Sequence, residues 1–469
     1  MTASPSPLVL VTGATGYIGG LLVPTLLDRD LPVRVISRSP ARLRRHDWAS
    51  RVEVVEGDAG SPADLDRALA GVDVAYYLLH SMDGKGDFVT RDRHLAEVFA
   101  AAAKRAGVRR VVYLSGLHPS GELSAHLGSR VEVGRILMAS GVPTVVLQAG
   151  VVLGAGSASF DMLRHLTERL PAMVAPRWLR NRIQPIAIDD VLHYLAAAAV
   201  LPGEPNRTFD IGGPDVLTYA EMIEGYARVT GLGHRLIVTV PVLTPGLASL
   251  WVGLVTPVVA GIARPLVGSL IHEAVTAEDD LLVLVGPPPG GRTGFEDAVR
   301  RATAGIDPTR WRRTATAVGA MTAGCAVLGS VFTAPGSRWY RSLRTPAWQP
   351  PPAAFPIVWT TLFTTIALAA TATITELEED GRPEEAERFT RAYAANLAVN
   401  AAWSGLFFRA HATRTSSVVA GLLATSAADL ARRAAPTGRG KAASFGAYAA
   451  WCAFATALNA AVARRNPRR

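Results

Sequence analysis

The stretch LVLVTGATGYIG, residues 8–19, decides how the first two thirds of this chain are read. Residues 8–11 form a short apolar run suited to a buried parallel strand, and the segment LLVPTLL after Gly19 has the pattern of a helix. Between them the glycines have a mechanical purpose. Gly13 allows the tight turn, Gly16 lets the backbone approach a pyrophosphate, and Gly19 lets the helix pack closely on the strand. The helix N-terminus adds unpaired N–H donors and the positive end of a dipole. Thr15, Tyr17 and Ile18 fall on the same turn and are expected to touch the nucleotide.

The next strand (32–36) ends at Ser37-Arg38, where an NAD-preferring protein would place a carboxylate for the ribose hydroxyls. A guanidinium there favours a 2′-phosphate, so NADPH is expected over NADH. A third strand (52–56) leads to Asp58 and Ala59, on the adenine side. A fourth (72–79) leads to His80-Ser81-Met82, on the ribose and nicotinamide side. A helix over 91–106 and the strand VVYLSG (111–116) continue a doubly wound βα pattern. QPIAIDDV (184–191) reads as a strand entering a helix, with Asp189 or Asp190 as its cap. Between residues 236 and 263 runs a long uncharged stretch, and Pro241, Pro245 and Pro257 argue for a substrate-cavity wall or a membrane-surface segment rather than a span.

TGATGYIG, GDAGSPADL, YYLLHSM, VVYLSGL, HLGSRVEVG, SFDMLRHLTERLP, QPIAIDDV and FDIGGPDVLTY together resemble the NmrA-like, atypical extended short-chain dehydrogenases over most of residues 8–300. The resemblance implies a Rossmann-type α/β domain and a catalytic Ser, Tyr and Lys. Ser115 matches the serine, but His126 stands at the tyrosine position and Arg130 at the lysine position. A histidine can act as a general acid, whereas a guanidinium stays charged. Two readings therefore stand side by side: hydride-transfer catalysis, or a cofactor-binding, redox-sensing domain with weak or no turnover.

The chain has 469 residues, more than one ordinary core needs, and 19% of them are charged although its mean hydropathy is positive. Averaging a soluble domain with a membrane domain gives that combination. The expected boundary lies near Pro308, giving a nucleotide-binding domain over 1–306 and an all-α five-helix transmembrane bundle over 307–469. Apolar segments at 314–334, 353–375, 392–411, 416–431 and 442–463 approximate the length of membrane spans. Their Ala and Gly content suits close helix contacts and a homodimer through a small-residue face. The net charge of +9 is spread over helix ends and loops, which fits lipid head groups and excludes no partner but nucleic acid. Cys325 and Cys452, the only cysteines, lie in apolar segments without metal spacing, so neither a disulfide scaffold nor a metal site is expected.

WYRSLRTPAWQPPPAAFPIVW (339–359), NLAVNAAWSGLFF (396–408) and AYAAWCAFATALNAAVARRN (447–466) resemble the tryptophan-rich sensory proteins known as TspO, or peripheral benzodiazepine receptors. One departure is Ala447, where that family usually has proline. The resemblance implies a pocket for porphyrin, haem or a sterol-like ligand, with Trp359 and Trp451 facing one another and Asn396, Asn400, Trp403, Phe408 and Tyr448 around them. Asparagines are costly in lipid unless they face the interior, so packing between helices is the competing role for them. The leading expectation is a multi-pass inner-membrane protein, its first domain cytoplasmic, that links NADPH to tetrapyrrole sensing or handling. The alternatives are a membrane-anchored oxidoreductase for a hydrophobic isoprenoid or polyaromatic substrate, and a non-catalytic nucleotide-binding regulator.

Overall fold

A computed structural model describes residues 6–80, 87–118, 123–240, 267–268 and 270–467. Pro241, Pro245 and Pro257 of the uncharged stretch, and Ser81 and Met82 after the fourth strand, lie outside them. The chain divides into two compact units, Met1–Asp307 and Pro308–Arg469.

The first unit is built on seven strands: β1 (Val9–Val11), β2 (Val33–Ser37), β3 (Glu53–Glu56), β4 (Val74–Tyr77), β5 (Arg110–Gly116), β6 (Thr144–Ala149) and β7 (Arg207–Ile211). They pair in parallel in the order β7-β6-β5-β4-β1-β2-β3. Strand side chains alternate faces, so both faces of the sheet carry core. Val9, Val11 and Tyr76 pack on Leu22, Val23 and Leu26 of α1 (Tyr17–Leu27). Leu10, Ala75 and Tyr77 pack on the other face with Leu65 and Leu69 of α2 (Pro62–Leu69) and Phe99 of α3 (Phe88–Arg105). The chain order reverses between β1 and β4, and a crevice opens at the carboxyl ends of strands at such a switch point. Thr12 Oγ1 holds that crevice in register, donating to the Tyr76 carbonyl at 2.9 Å and accepting from the Leu78 N–H at 3.1 Å.

Further helices of this unit are α4 (Ala125–Met138), α5 (Ala158–Arg169), α6 (Ile188–Ala198), α7 (Tyr219–Val229) and α8 (Phe295–Ala302). At α6 the expected aspartate cap is corrected. The cap position is Ala187, with no side-chain cap bond. Buried Asp190 instead accepts from the Thr293 N–H at 2.8 Å and hydroxyl at 3.0 Å, and exposed Asp189 pairs with Arg301 at 3.1 Å. A carboxylate one turn into the helix is worth more tying a distant loop than repeating what the helix dipole already favours.

The second unit contains five long helices: α9 (Arg310–Phe332), α10 (Ala354–Glu379), α11 (Pro383–Phe408), α12 (Thr413–Ala434) and α13 (Arg439–Arg465). Three of them, α9, α10 and α13, are long and apolar enough to cross a membrane. The ends of the other two are charged: α11 starts with Glu384, Glu385, Glu387 and Arg388, and α12 ends with Asp429, Arg432 and Arg433. The shared core includes Val318, Ile366, Tyr393, Leu423 and Tyr448.

Candidate nucleotide site and aromatic cluster

The turn after β1 has the strict geometry its glycines suggest. Gly13 sits at φ +70°, and a Cβ there would meet the Leu78 carbonyl oxygen at 2.6 Å. A Cβ on Gly19 would lie 2.4 Å from the Gly13 carbonyl oxygen. Gly16 caps α1 without a side-chain bond, which leaves first-turn N–H groups for an anion.

Above this turn lies a cleft of about 430 Å³ that gathers Gly13, Gly16, Tyr17, Ile18, Gly19, His80, Ser115, His126 and Arg130. Thr15, Ser37, Arg38, Asp58 and Ala59 lie outside it. Thr15 and Arg38 are exposed, the latter just past β2, and no ion pair engages Arg38 among the described residues. Ser37 Oγ accepts from the Ser39 N–H at 3.2 Å, and Asp58 Oδ1 from the Gly60 N–H at 2.8 Å. Ala59 packs against the sheet core.

Six buried polar atoms in the cleft wall have no hydrogen-bond partner among the described residues: Tyr17 Oη, His80 Nε2, Ser115 Oγ, His126 Nδ1, Arg130 Nε and Tyr219 Oη. Folded proteins satisfy nearly all such atoms, so their convergence on one cavity marks a ligand site. A dinucleotide with many polar atoms, its phosphates on the α1 turn and its nicotinamide end among these groups, fits the donor set.

Electrostatics keep most of these groups neutral. Burial, then the Asp161 and Asp189 charges, push the Tyr17 phenol up to about 12. Burial also raises Tyr219. Burial, the Arg130 guanidinium and His80 push His126 down to about 3, partly opposed by Asp92. Burial lowers His80 as well, against the hydrogen bond that its Nδ1 donates to Asp92. Arg130 anchors on the sheet by donating to the Leu114 carbonyl at 2.6 Å, while Tyr113 donates to the Arg130 carbonyl at 3.3 Å.

Sequence reasoning missed Tyr219, Tyr113, Met162, Ile183 and Asp92. For Tyr219 a signal existed: Thr218 and Glu221 form a capping box, a Thr-x-x-Glu spacing that fixes Tyr219 as the first helical residue. Nothing local shows that this helix start points into the cleft.

In the second unit Trp359 lies 6.3 Å from both Trp403 and Tyr448, centroid to centroid, and 5.3 Å from Phe363. Trp451 belongs to a separate group with Phe454 at 5.3 Å and Phe355 at 6.1 Å. Phe408 packs against Tyr340 near the ends of the helices. The asparagines form a buried relay: Asn400 Nδ2 donates to Tyr448 Oη at 2.9 Å, Tyr448 donates to Asn396 Oδ1 at 3.1 Å, and Asn396 Nδ2 donates to Ser426 at 3.2 Å. That arrangement ties α11 to α12 and α13. Replacing Tyr448 by phenylalanine would leave both amides short of a partner and is expected to destabilise the second unit by about 1–3 kcal/mol, read as a lowered melting temperature in detergent. Trp403 Nε1 and Trp451 Nε1 are buried without partners among the described residues.

A parallel sheet that reverses at β1/β4, with a glycine turn beneath a polar-studded cleft, defines a dinucleotide-binding α/β protein. The NAD(P)H-binding family model matches residues 13–142 and the TspO/MBR family model residues 317–465. The chain belongs to both families: an NAD(P)H-binding unit of the short-chain-dehydrogenase type is fused to a TspO/MBR unit. The (4-alkanoyl-5-oxo-2,5-dihydrofuran-3-yl)methyl phosphate reductase of Streptomyces griseus is 32% identical over 234 residues, 48% of this chain and 74% of that protein. Protein CrtK of Rhodobacter capsulatus is 32% identical over 139 residues, 30% of this chain and 84% of that protein. In fold, the first unit is similar to the Citrobacter sp. triphenylmethane reductase complexed with NADP(H), with a TM-score of 0.50 and 22% identity over 63% of this chain and 99% of that one. The TspO/MBR unit and its apolar helices make this a membrane protein.

Proposed function

We propose that the first unit is an NADPH-dependent reductase of an apolar substrate that carries one polar acceptor group, and that the second unit holds it at the membrane. The observation that supports this reading is the cleft wall: six unpartnered polar atoms converge beside the glycine turn, while Leu117, Leu127, Val151, Val152, Met162 and Ile183 line the rest. An apolar wall rewards an apolar substrate body by about 25 cal/mol per Å² buried, and unpaired donors select the one group that can be reduced. When bound, reduced nicotinamide supplies a hydride to an electrophilic carbon. Ser115 and Tyr219, both neutral donors, would orient the acceptor oxygen, and Arg130 would supply fixed positive charge near it. The S. griseus relative, itself a reductase, supports the same chemistry.

Preference for NADPH rests on Arg38, whose exposed guanidinium would pair with the 2′-phosphate in charge-assisted bonds. Arg38→Glu is expected to lower NADPH affinity by about ten- to a hundredfold and to raise NADH affinity relative to it, measured by nicotinamide fluorescence. Unchanged NADPH affinity would remove Arg38 from the site.

A second reading concerns the other unit. Trp359, Trp403, Phe363 and Tyr448 form a contiguous aromatic wall, and Trp403 Nε1, without a partner among the described residues, offers a donor to a planar ligand. Porphyrin or haem binding, and with it redox-linked tetrapyrrole handling, is the function this wall supports. Protoporphyrin should quench tryptophan fluorescence saturably, and W403F should weaken that binding without loss of folded protein. Absence of saturable quenching would leave the second unit as an anchor.

A further inference from the structure

Asp92 lies one turn inside α3 and is 4% exposed, an unusual place for a carboxylate unless it is paired. Its Oδ2 lies 3.2 Å from His80 Nδ1 and 3.4 Å from Ser129 Oγ. An ionised carboxylate only accepts, so Nδ1 of His80 carries the hydrogen and its other nitrogen, Nε2, presents a lone pair. Nε2 is buried, has no partner among the described residues, and belongs to the cleft wall that also holds Gly13, Gly16 and Ser115.

His126 differs in the one respect that decides proton transfer. Its ring lies 4.9 Å from that of His80, but among the described residues it donates no hydrogen bond to a carboxylate, and Arg130 follows one helical turn later. A positive charge without a bonded anion holds an imidazole neutral, and a ring that does not gain a proton has none to give. His80 has the bonded anion. Among the described residues, the charged and titratable groups that act on it are Asp92 from α3 and His126 and Arg130 from α4.

Resting on the reductase reading above, we propose that His80, oriented by Asp92, is the proton donor and acceptor of this cleft, in the role that alignment by position gives to His126. In reduction, the substrate carbon gains the hydride and its C=O π pair moves onto oxygen. The proton on His80 Nε2 bonds to that oxygen, and the N–H pair returns to the ring. Asp92 keeps its negative charge throughout, and His80 regains a proton from solvent. In the oxidation direction the neutral ring takes the alcohol proton.

Diethyl pyrocarbonate, which attacks unprotonated imidazole, tests this without turnover. The full chain in detergent is labelled across a range of pH, with and without NADPH, and the His80 peptide is quantified by mass spectrometry. NADPH is expected to slow His80 labelling at least about fivefold, because the dinucleotide covers Nε2. D92N is expected to move the labelling midpoint of His80 down by about one pH unit, since the bonded anion is gone. With benzil, an apolar diketone, as probe substrate, H80Q should lower kcat about a hundredfold with NADPH affinity within about twofold, and H126Q should cost less than about tenfold. The wild-type kcat for reduction should fall as pH rises through the His80 midpoint, and in D92N that fall should begin at lower pH.

If NADPH binds, by nicotinamide fluorescence, yet leaves His80 labelling unchanged, the proposal is overturned. It is also overturned if D92N leaves the midpoint in place, or if H126Q is the more damaging variant. If NADPH does not bind at all, the reductase reading fails, and the D92N midpoint alone still decides whether Asp92 orients His80.

Discussion

Replacing Gly19 by valine is expected to lower NADPH affinity by about a hundredfold, equivalent to about 2.7 kcal/mol. A Cβ at this position would stand 2.4 Å from the Gly13 carbonyl oxygen and 2.9 Å from Ala14 Cα, both backbone atoms of the turn itself. No rotamer relieves that overlap. Relief requires α1 to move away from the turn, and moving it removes the first-turn N–H groups from the place where a pyrophosphate would sit. Titration with NADPH followed by nicotinamide fluorescence measures the loss. G20A is the control: a Cβ there meets Ala14 oxygen and a His46 side-chain atom only at 3.5 Å, so binding should persist. Loss of binding in G20A as well would show that α1 tolerates no added volume anywhere, and the argument from the Gly19 contact would fall.

Stability of the first unit should decline with acid, and His126 should account for a defined share. Its folded pKa is pushed down to about 3 from 6.5. Below the unfolded value the unfolded chain binds a proton that the folded chain refuses, so stability is full above about pH 6.5 and is lost as pH falls towards the folded value. The slope is about 1.4 kcal/mol per pH unit, or about 2 kcal/mol between pH 6.5 and about pH 5. H126Q removes the titrating ring, so its melting temperature should change less than that of the wild type between about pH 7.5 and about pH 5. Equal slopes for the two proteins would mean that the ring becomes protonated in the folded state.

Local signals made much of this protein legible. A run of apolar residues, a glycine triplet and a helical pattern sufficed for β1, the turn and α1, because the constraints lie within a dozen residues. The same held for β2, β4 and β5 and for the TspO-like tryptophans. What escaped depended on distance along the chain. Asp92 reaches His80 and Ser129 across 12 and 37 residues, and Tyr219 joins the cleft from far beyond the sheet motifs. Asp190 was misread because a cap is judged locally, whereas its partner, Thr293, is 103 residues away. His126 was nominated by position in an alignment. Among the described residues it lacks the bonded anion that His80 has, a contrast that no local pattern carries. In the second unit the sequence leaves the asparagines open as ligand contacts or as packing, and their bonds to Tyr448 and Ser426 span 30 to 52 residues, beyond any local pattern.

As an NADPH-dependent reductase, the cleft passes a hydride from NADPH to an apolar molecule. The most direct measurement uses NADPH tritiated at the nicotinamide C4 position, incubated with the detergent-solubilised chain and an organic extract of the membranes in which it is made. Tritium should appear in an extractable apolar product with the wild type and not with Gly19→Val. Saturable NADPH binding with no label transferred to any extractable compound would contradict the account and leave a nucleotide-binding regulator.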